Sequence, residues 1–313
     1  MLDALPVVED RRLLTGFENS EDAAVFRLDE ERGIVFTIDV ITPLVDDPEL
    51  YGAIAAANAL SDVYAMGGRG LISLSFLGTP AGFPEDVGAA IAKGGADLAL
   101  AEGAPVVGGH SVESKDLMYG LAVVGLAAPD AVFSNDGYEV GHDLVLTKPL
   151  GTGTLTTALK ARKIEEAAVE DALAGMRQTN RAAVSILLEH GVRAATDVTG
   201  FGLLGHAAEI ARASDVRIVI AQSRVPDYPG AREALRKGYV TRGNRSNLEY
   251  VRTLGPLEGE AEALLFDPQT SGGLLVGASA SCSESLVAGL RDAGFEATER
   301  IGVVEAGSGV RID

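Results

Sequence analysis

Four aspartates occupy positions that are typical of ligands for hard cations. Asp22 precedes a short apolar run, Asp39 ends the predicted strand GIVFTID, Asp62 lies near the end of a small-residue helix, and Asp197 follows the run RAAT. Carboxylates at strand ends and on closely packed helices hold Mg²⁺ in phosphate-handling sites. Each aspartate alone is also consistent with a turn or a helix cap, where Asp is common. Their shared pattern favours a metal site that handles phosphate.

Glycine-rich turns accompany these aspartates. They are VGGHS at 107–111, GTGTL at 151–155, TGFGLLGH at 199–206 and DPQTSGG at 267–273. The turn TGFGLLGH would leave free backbone N–H groups at a helix N-terminus, an arrangement that suits an anion. No P-loop motif with its lysine occurs. The sequence therefore predicts that metal ions and backbone groups hold the phosphates.

The histidines supply one candidate for ligand binding, and the single cysteine excludes two kinds of site. His110, beside two glycines and Ser111, is the best candidate for a ligand contact, whereas His206 is expected to be structural. Cys282 is the only cysteine, so an intramolecular disulfide and a Cys-based zinc site are excluded. A single cysteine favours a reducing cytosol, and the opening MLDALPVVEDRR lacks the order of a signal peptide. We expect a cytoplasmic protein.

The element that must position Asp62 is a predicted helix over 51–66. It is built mostly from alanine, and Asn58 and Asp62 share one of its faces because they lie four residues apart. Gly67 and Gly68 end the helix. A carboxylate on such a face is costly to bury unless it is neutralised. The first lysine of the chain is Lys93, so a metal ion is the expected partner of Asp62.

The rest of the first half reads as strands with one further helix. Strands are predicted at 23–28, 33–39, 70–78, 105–111 and 117–127, and a second helix at 84–103. The order β-β-α-β-α-β-β predicts an α+β layer with helices on one face of a sheet.

The second half is predicted to be an α/β domain. Its expected elements are a strand at 143–151, two helices within 152–190, a strand at 193–200, a helix at 202–213, a strand at 216–222, a helix at 229–238, a polar loop at 241–247, two strands around a turn at 263–278, a helix at 283–294 and a closing strand at 298–307. A polar connection at 128–142 predicts the boundary between domains 1–135 and 136–313.

Composition excludes two classes of partner. The chain has 313 residues and a net charge of −19. Such a charge repels nucleic acid and anionic membranes, so neither is expected to bind. No apolar run approaches the length of a membrane span. ATP remains a suitable ligand when magnesium carries its phosphate charge.

Taken together, the motifs resemble those of selenophosphate synthetase (selenide, water dikinase). The motifs are NALSDVYAMGG, VGGHS, TKPLGTG, ATDVTGFGLLGH and FDPQTSGG, with DAAVF and TIDVITPLVDDP in support. The resemblance covers nearly the whole chain from about residue 12. The looser motifs are shared with the wider superfamily of aminoimidazole ribonucleotide synthetases, thiamine-monophosphate kinases and hydrogenase-maturation carbamoyl dehydratases.

The resemblance implies a two-domain fold of the aminoimidazole ribonucleotide synthetase type and a homodimer whose N-terminal sheets form a barrel. It implies conversion of ATP, selenide and water to selenophosphate, AMP and phosphate. The implied magnesium ligands are Asp22, Asp62 and Asp197. The implied nucleotide contacts are Asn19, Ser20, Glu21, Asp39 and Asp62, with Gly109, His110 and Ser111 reaching the ATP of the other subunit. For Asp39 the resemblance implies contact with either the nucleotide or the metal.

One departure from the family pattern keeps alternatives open. Family members carry a glycine-rich N-terminal segment with a reactive cysteine or selenocysteine and a nearby lysine, and this chain shows neither, so its catalytic residues are unknown. The segment is either missing here or absent from a divergent member. A smaller departure is the run Glu113–Asp116. The alternatives are a nucleotide-binding regulator or partner subunit without selenide chemistry, and a kinase-like relative with another small acceptor.

Self-association is also expected from the predicted sheet. Only two helices are available to cover the strands of the first half, and LISLSFLG and LAVVGLA are costly to leave in water. Pairing of that face across a two-fold axis is the simplest solution.

Overall fold

The computed structural model describes residues 9–17 and 19–313. The first eight residues, which include most of the N-terminal run considered above, lie outside this part of the chain. The described residues form two sheets, one of six strands and one of seven. The two-domain fold class predicted from the sequence is confirmed.

The first sheet is mixed and carries both helices on one face. Its strands are β1 (Leu13–Thr15), β2 (Ala24–Arg27), β3 (Gly33–Ile41), β4 (Arg69–Thr79), β5 (Val106–Glu113) and β6 (Met118–Ala127), and its helices are α1 (Pro48–Ala65) and α2 (Glu85–Ala101). The spatial order is β1-β2-β3-β6-β4-β5. All pairings are antiparallel except that of β4 with β5.

Helix α1 begins earlier than predicted because Asp47 caps it. The Oδ1 atom of Asp47 accepts the backbone N–H groups of Glu49 (2.9 Å) and Leu50 (3.1 Å), and Pro48 occupies the first turn. Most of α1 is buried, as expected for a helix whose alanines allow close approach on several sides. It packs against α2, β3 and β6 and reaches the second sheet at β8.

The second half contains β7 (His142–Leu146), β8 (Ala194–Asp197), β9 (Arg217–Ile220), β10 (Leu257–Glu258), β11 (Leu274–Ser279), β12 (Glu299–Glu305) and β13 (Gly309–Ile312), together with α3 (Thr152–Lys160), α4 (Glu170–Arg177), α5 (Arg181–Glu189), α6 (Gly202–Ala213), α7 (Ala231–Arg236), α8 (Arg242–Leu254) and α9 (Ser283–Asp292). The sheet order is β10-β13-β9-β12-β7-β11-β8. Strand β8 is therefore an edge strand, and it lies beside α1.

Several element predictions for this half are wrong. The polar run 241–247 is not a loop, because Thr241 caps α8 by accepting the Asn244 N–H at 3.0 Å. The segment 263–278 contributes one strand rather than two, since 263–266 is a short 3₁₀ turn. The stretch 152–190 holds three helices rather than two, and the strand β13 was not predicted.

No helix within residues 9–17 and 19–313 is both long enough and apolar enough to cross a membrane.

The contact between α1 and α2 generates a stability prediction. A Cβ atom added at Gly52 would lie 1.9 Å from the backbone oxygen of Ile91, whereas one added at Gly88 would meet its nearest neighbour, Leu77 Cδ2, at 3.6 Å. We expect Gly52→Ala to lower the free energy of unfolding by about 2–3 kcal/mol through overpacking. The matched Gly88→Ala should raise it by about 0.5–1 kcal/mol, because Ala favours the helix. Urea denaturation measures both, and equal effects of the two changes would contradict this packing.

Candidate active site

A cavity of about 580 Å³ is lined by residues of both halves of the chain. The first half contributes residues of the β1–β2 connection, β3 and α1, and the second half contributes the β8–α6 turn, α6, α8 and the loop before β11. The lining residues are Phe17, Ser20, Glu21, Asp22, Asp39, Ile41, Asn58, Asp62, Asp197, Thr199, Gly200, Phe201, His206, Glu209, Tyr250, Pro268, Gln269 and Thr270. The structure thus brings together all four aspartates singled out in the sequence.

Two of these aspartates accept hydrogen bonds from threonines, one on a strand of each sheet. The Thr37 hydroxyl on β3 donates to Asp62 on α1. The Thr196 hydroxyl on β8 donates to Asp22 Oδ1 at 2.9 Å. Thr196 therefore links the N-terminal segment of the chain to the second sheet.

The other two aspartates are held by residues of α1. Asn58 donates through Nδ2 to the carboxylate of Asp39. Ser61 stabilises the charged form of Asp197, which is only 1% exposed, and so opposes the rise in its pKa. A single helix of the first half thus orients carboxylates that belong to both halves.

Burial and mutual repulsion disfavour the ionised forms of these groups. Burial raises the pKa of Asp22 well above its usual range, and the Asp197 and Asp62 charges add to this shift. Burial also raises the pKa of Asp62, with help from the Asp197 charge, and raises the pKa of Asp39 to about 6. Burial raises the pKa of Asp197 against the opposing effects of Ser61, His206 and Lys148. A cation bound in the cavity would therefore stabilise the ionised forms that burial disfavours.

The donor set fits a hard divalent cation such as Mg²⁺. It consists of carboxylate oxygens, and Asp197 Oδ2 is buried without a hydrogen-bond partner. Within residues 9–17 and 19–313, no three His, Cys, Asp or Glu side chains already stand at the spacing of a finished metal site. Asp22, Asp62 and Asp197 line the same cavity and repel one another when ionised, so a cation bound between them would stabilise their charged forms.

A histidine and an aromatic pair form the wall contributed by the second half. His206 accepts the Thr199 N–H at its Nε2 atom (3.1 Å), and its Nδ1 lies 3.2 Å from the buried Glu209. The Tyr250 hydroxyl donates to Glu209 at 2.7 Å, and its ring stacks on Phe201 with 4.6 Å between centroids. His206 is thus a satisfied structural residue, as expected, but it also lines the cavity.

Two of the glycine-rich turns noted in the sequence lie at helix N-termini, and they differ. The N-terminus of α6 is uncapped by any side chain, and the residues before it line the cavity. The N-terminus of α3 is closed, since Gln269 Oε1 accepts the Gly151 and Thr152 N–H groups at 2.9 and 3.1 Å. Asp267 also accepts the Thr154 N–H at 3.0 Å. Only the turn before α6 can present backbone N–H groups to a ligand.

The predicted nucleotide contacts at 19–21 lie at the rim. Ser20 and Glu21 line the cavity, whereas Asn19 faces a smaller adjoining cavity of about 320 Å³. Asn135 fastens this segment by donating through Nδ2 to the backbone oxygen of Ser20 at 2.8 Å. Burial raises the pKa of Glu21 to about 7.

Gly109, His110 and Ser111 are not brought to this cavity. They lie on the edge strand β5, where every residue from 107 to 113 is exposed. Gly109 is required at its position because a Cβ atom there would lie 2.1 Å from the Ser75 oxygen.

Sequence reasoning missed several residues that shape the site. Thr37 lies two residues before Asp39 and Thr196 lies directly before Asp197, each on the same strand as that aspartate, and this spacing could have identified them. The run Gly200–Gly205 is a G-x-G-x-x-G sequence between β8 and α6, which is a phosphate signal, although β8 and β9 are not neighbours as in a dinucleotide-binding unit. Lys148 lies within the motif TKPLGTG, but nothing in that motif indicated that its side chain would be buried or which groups it would contact.

Family models and curated relatives match this chain along most of its length. Residues 20–127 match the family "AIR synthase related protein, N-terminal domain", and residues 139–313 match "AIR synthase related protein, C-terminal domain". Selenide, water dikinase 2 of Peptoclostridium acidaminophilum is 40% identical over 97% of this chain and 88% of its own length. Selenide, water dikinase of Bdellovibrio bacteriovorus is 44% identical over 91% of this chain and 83% of its own length.

Solved structures share the fold at lower identity. The hydrogenase maturation protein HypE, solved in complex with ATP, superposes with a TM-score of 0.70 and 20% identity over 95% of this chain and 82% of its own length.

The crowded carboxylates generate a prediction for the protein without metal. We expect Asp62→Asn to raise the free energy of unfolding by about 1 kcal/mol in EDTA, because it removes a repelled charge while an amide oxygen can still accept from Thr37. The matched Asp47→Asn should change it by less than about 0.5 kcal/mol, since Asn caps a helix as well as Asp does. Urea denaturation in EDTA measures both. A loss of stability in Asp62→Asn would contradict the repulsion.

Proposed function

The chain belongs to the selenide, water dikinase family, and we propose that it forms selenophosphate from ATP, selenide and water, with AMP and phosphate as the other products. It is a phosphotransferase, and identities of 40–44% over most of the chain do not favour the alternatives without selenide chemistry. The observation that carries the site assignment is the convergence of Asp22, Asp39, Asp62 and Asp197 on one cavity. The proposed location is the cytoplasm, where a lone cysteine stays reduced.

We assign Asp22, Asp62 and Asp197 as the ligands of Mg²⁺ in this cavity. When bound, the ion offsets charge on the phosphate oxygens and orients them for transfer. The chain supplies carboxylates from a loop, a helix and a strand, so the cation site requires both halves to be docked. Thr37 and Thr196 each fix one carboxylate oxygen and leave the other free to bind a cation. This arrangement supports a metal-dependent nucleotide site without a P-loop lysine.

The nucleotide contacts proposed for this chain surround that cluster. Asp39 is oriented by Asn58, and Ser20 and Glu21 stand at the rim with Asn19 beside them. The backbone before α6 is open to phosphate oxygens and carries the positive end of the helix dipole. These groups bind and orient the triphosphate.

We further propose that two copies complete each other's sites. Alternate residues of the first sheet face away from α1 and α2 and are apolar, among them Phe36 and Ile38, which are 54% and 64% exposed. Leu74 on β4 belongs to the same exposed face. Pairing of two such faces would bury them and bring Gly109, His110 and Ser111 to the neighbour's ATP.

Each of the two sheets belongs to one of the two proposed domains. We propose that residues 1–135 bind nucleotide and dimerise, and that 136–313 form the second domain. The first sheet spans 13–127 and the second 142–312, and the two family matches end and begin within 127–139. These limits support a boundary close to residue 135.

The metal assignment makes a direct prediction. Asp62→Asn and Asp197→Asn should each abolish Mg²⁺-dependent ATP binding, because each removes a charged ligand of the bridging cation. Calorimetric titration with MgATP measures this, and Asp47→Asn at the exposed start of α1 serves as the control with full binding. If both site variants bind MgATP like the parent, the assignment is wrong.

The dimer makes a second prediction. Ile38→Glu should give a monomer that has also lost affinity for MgATP, because a charge on the apolar face opposes pairing. Leu100→Glu, an equal change on the outer side of α2 at a residue that is 65% exposed, should remain dimeric. Light scattering measures the mass across a salt series, and low salt should weaken the dimer because each copy carries a charge of −19. A monomeric mass for the wild-type chain at every salt concentration, with ATP still bound, would overturn both the dimer and the shared site.

A further inference from the structure

Lys148 is a buried lysine whose ammonium is surrounded by backbone oxygens. The residue is 3% exposed and directly follows β7 and Thr147. Its Nζ atom donates to the backbone oxygens of Gly175 (3.2 Å), Gln178 (2.5 Å) and Ser271 (2.9 Å). The first two oxygens belong to the end of α4, where the helix dipole favours a cation.

The geometry matches the charged form of the side chain. An ammonium has three hydrogens for three acceptors, whereas a neutral amine would point a lone pair at a carbonyl oxygen. Among the residues that the structure describes, no carboxylate forms an ion pair with Lys148. Burial lowers the pKa of its ammonium to about 7, and the Asp197 charge opposes this shift only through space. A buried charge held by neutral carbonyls is costly, so a purely structural site would be better filled by an apolar side chain.

One of the two segments that Lys148 contacts is strained. Ser271 has φ of +48°, is 1% exposed, and belongs to the loop between the 3₁₀ turn at 263–266 and β11. Its backbone N–H donates to Asn58 Oδ1 on α1 at 2.7 Å, while its carbonyl accepts from Lys148. A non-glycine residue stays in this conformation only when its surroundings hold it there. Lys148 and Asn58 hold the two ends of that one residue.

Asn58 continues the connection into the acidic cavity. Its Oδ1 atom accepts from Ser271, so its Nδ2 group is directed at the carboxylate of Asp39. We propose that Lys148 is a positioning residue for the reaction: it fixes the Ser271 loop against α1 and thereby sets the orientation of Asn58 and of Asp39. This inference rests on the proposed function, in which Asp39 contacts the nucleotide.

Loss of the ammonium would act on Asp39 through a defined path. Without Lys148 the Gly175, Gln178 and Ser271 carbonyls face one another with no donor between them, which favours their separation. Ser271 then relaxes to negative φ and its N–H turns away from Asn58. The Asn58 amide loses the contact that selects its rotamer, and Asp39 loses a fixed donor.

A double-mutant cycle on nucleotide affinity tests this path. The full chain is titrated calorimetrically with Mg²⁺ and the non-hydrolysable analogue AMPPCP, at a temperature where circular dichroism shows each variant folded. Lys148→Met and Asn58→Ala should each weaken binding about tenfold, and the double variant should bind no more weakly than the weaker single variant. Lys237→Met, which removes an equal charge from the exposed end of α7, should bind like wild type.

Two results would overturn the inference alone. One is wild-type affinity in Lys148→Met with only a lowered melting temperature, which is the signature of a structural role. The other is a double variant whose loss of affinity for MgAMPPCP equals the product of the two single losses. If Lys148→Met does not fold, the cycle is run with Lys148→Arg, because a planar guanidinium cannot direct its donors at the same three carbonyls as a compact ammonium does. The same two results would then overturn the inference. Failure of the wild-type chain to bind MgAMPPCP would instead overturn the proposed function and this inference with it.

Discussion

Repulsion among buried carboxylates is the constraint on which this structure depends. Asp22, Asp39, Asp62 and Asp197 converge from a loop, two strands and a helix, and burial raises the pKa of each. Such a cluster opposes folding unless other groups hold it or a cation binds to it. Hydroxyl and amide donors stabilise these carboxylates. The alanines of helix α1 allow the residues around the carboxylates to pack closely. A site built in this way is more stable with its cation than without it.

The same constraint couples the two halves of the chain. The Ser271 loop is hydrogen-bonded to α1 through Asn58, and Asn180 donates to both Ser61 and the backbone of Gly272 at 2.9 Å. These contacts cross from the second half to a helix of the first, and they lead directly to Asp39 and Asp197. Docking of the halves and assembly of the acidic cavity are therefore one event. The proposed nucleotide site therefore depends on an interface between the halves that a change far from the acidic cavity can disturb.

The features that could be predicted from the sequence are those that depend on residues close together in the chain. Helix α1 was readily predicted because its alanines and its closing glycines act locally, and the four aspartates were found because strand ends and small-residue helices are recognisable positions. The helix α8 was missed because RGNRSN has the composition of a loop, while its Thr241 cap and its packing on α6 decide the structure. The contacts of Lys148 and the stacking of Phe201 on Tyr250 could not be predicted, since their partners lie far along the chain. The closed N-terminus of α3 likewise depends on Gln269, more than a hundred residues away.

The most direct test of the account is the identity of the products. Phosphorus NMR of the full chain with ATP, Mg²⁺ and selenide under reducing, anaerobic conditions follows every phosphorus compound in one experiment. The account predicts selenophosphate, AMP and inorganic phosphate in equal amounts, all absent when Asp197→Asn replaces the wild-type chain. ADP as the nucleotide product would indicate a kinase with another acceptor. Unchanged ATP, from a preparation that binds MgATP, would contradict the assignment of selenophosphate synthesis to this chain.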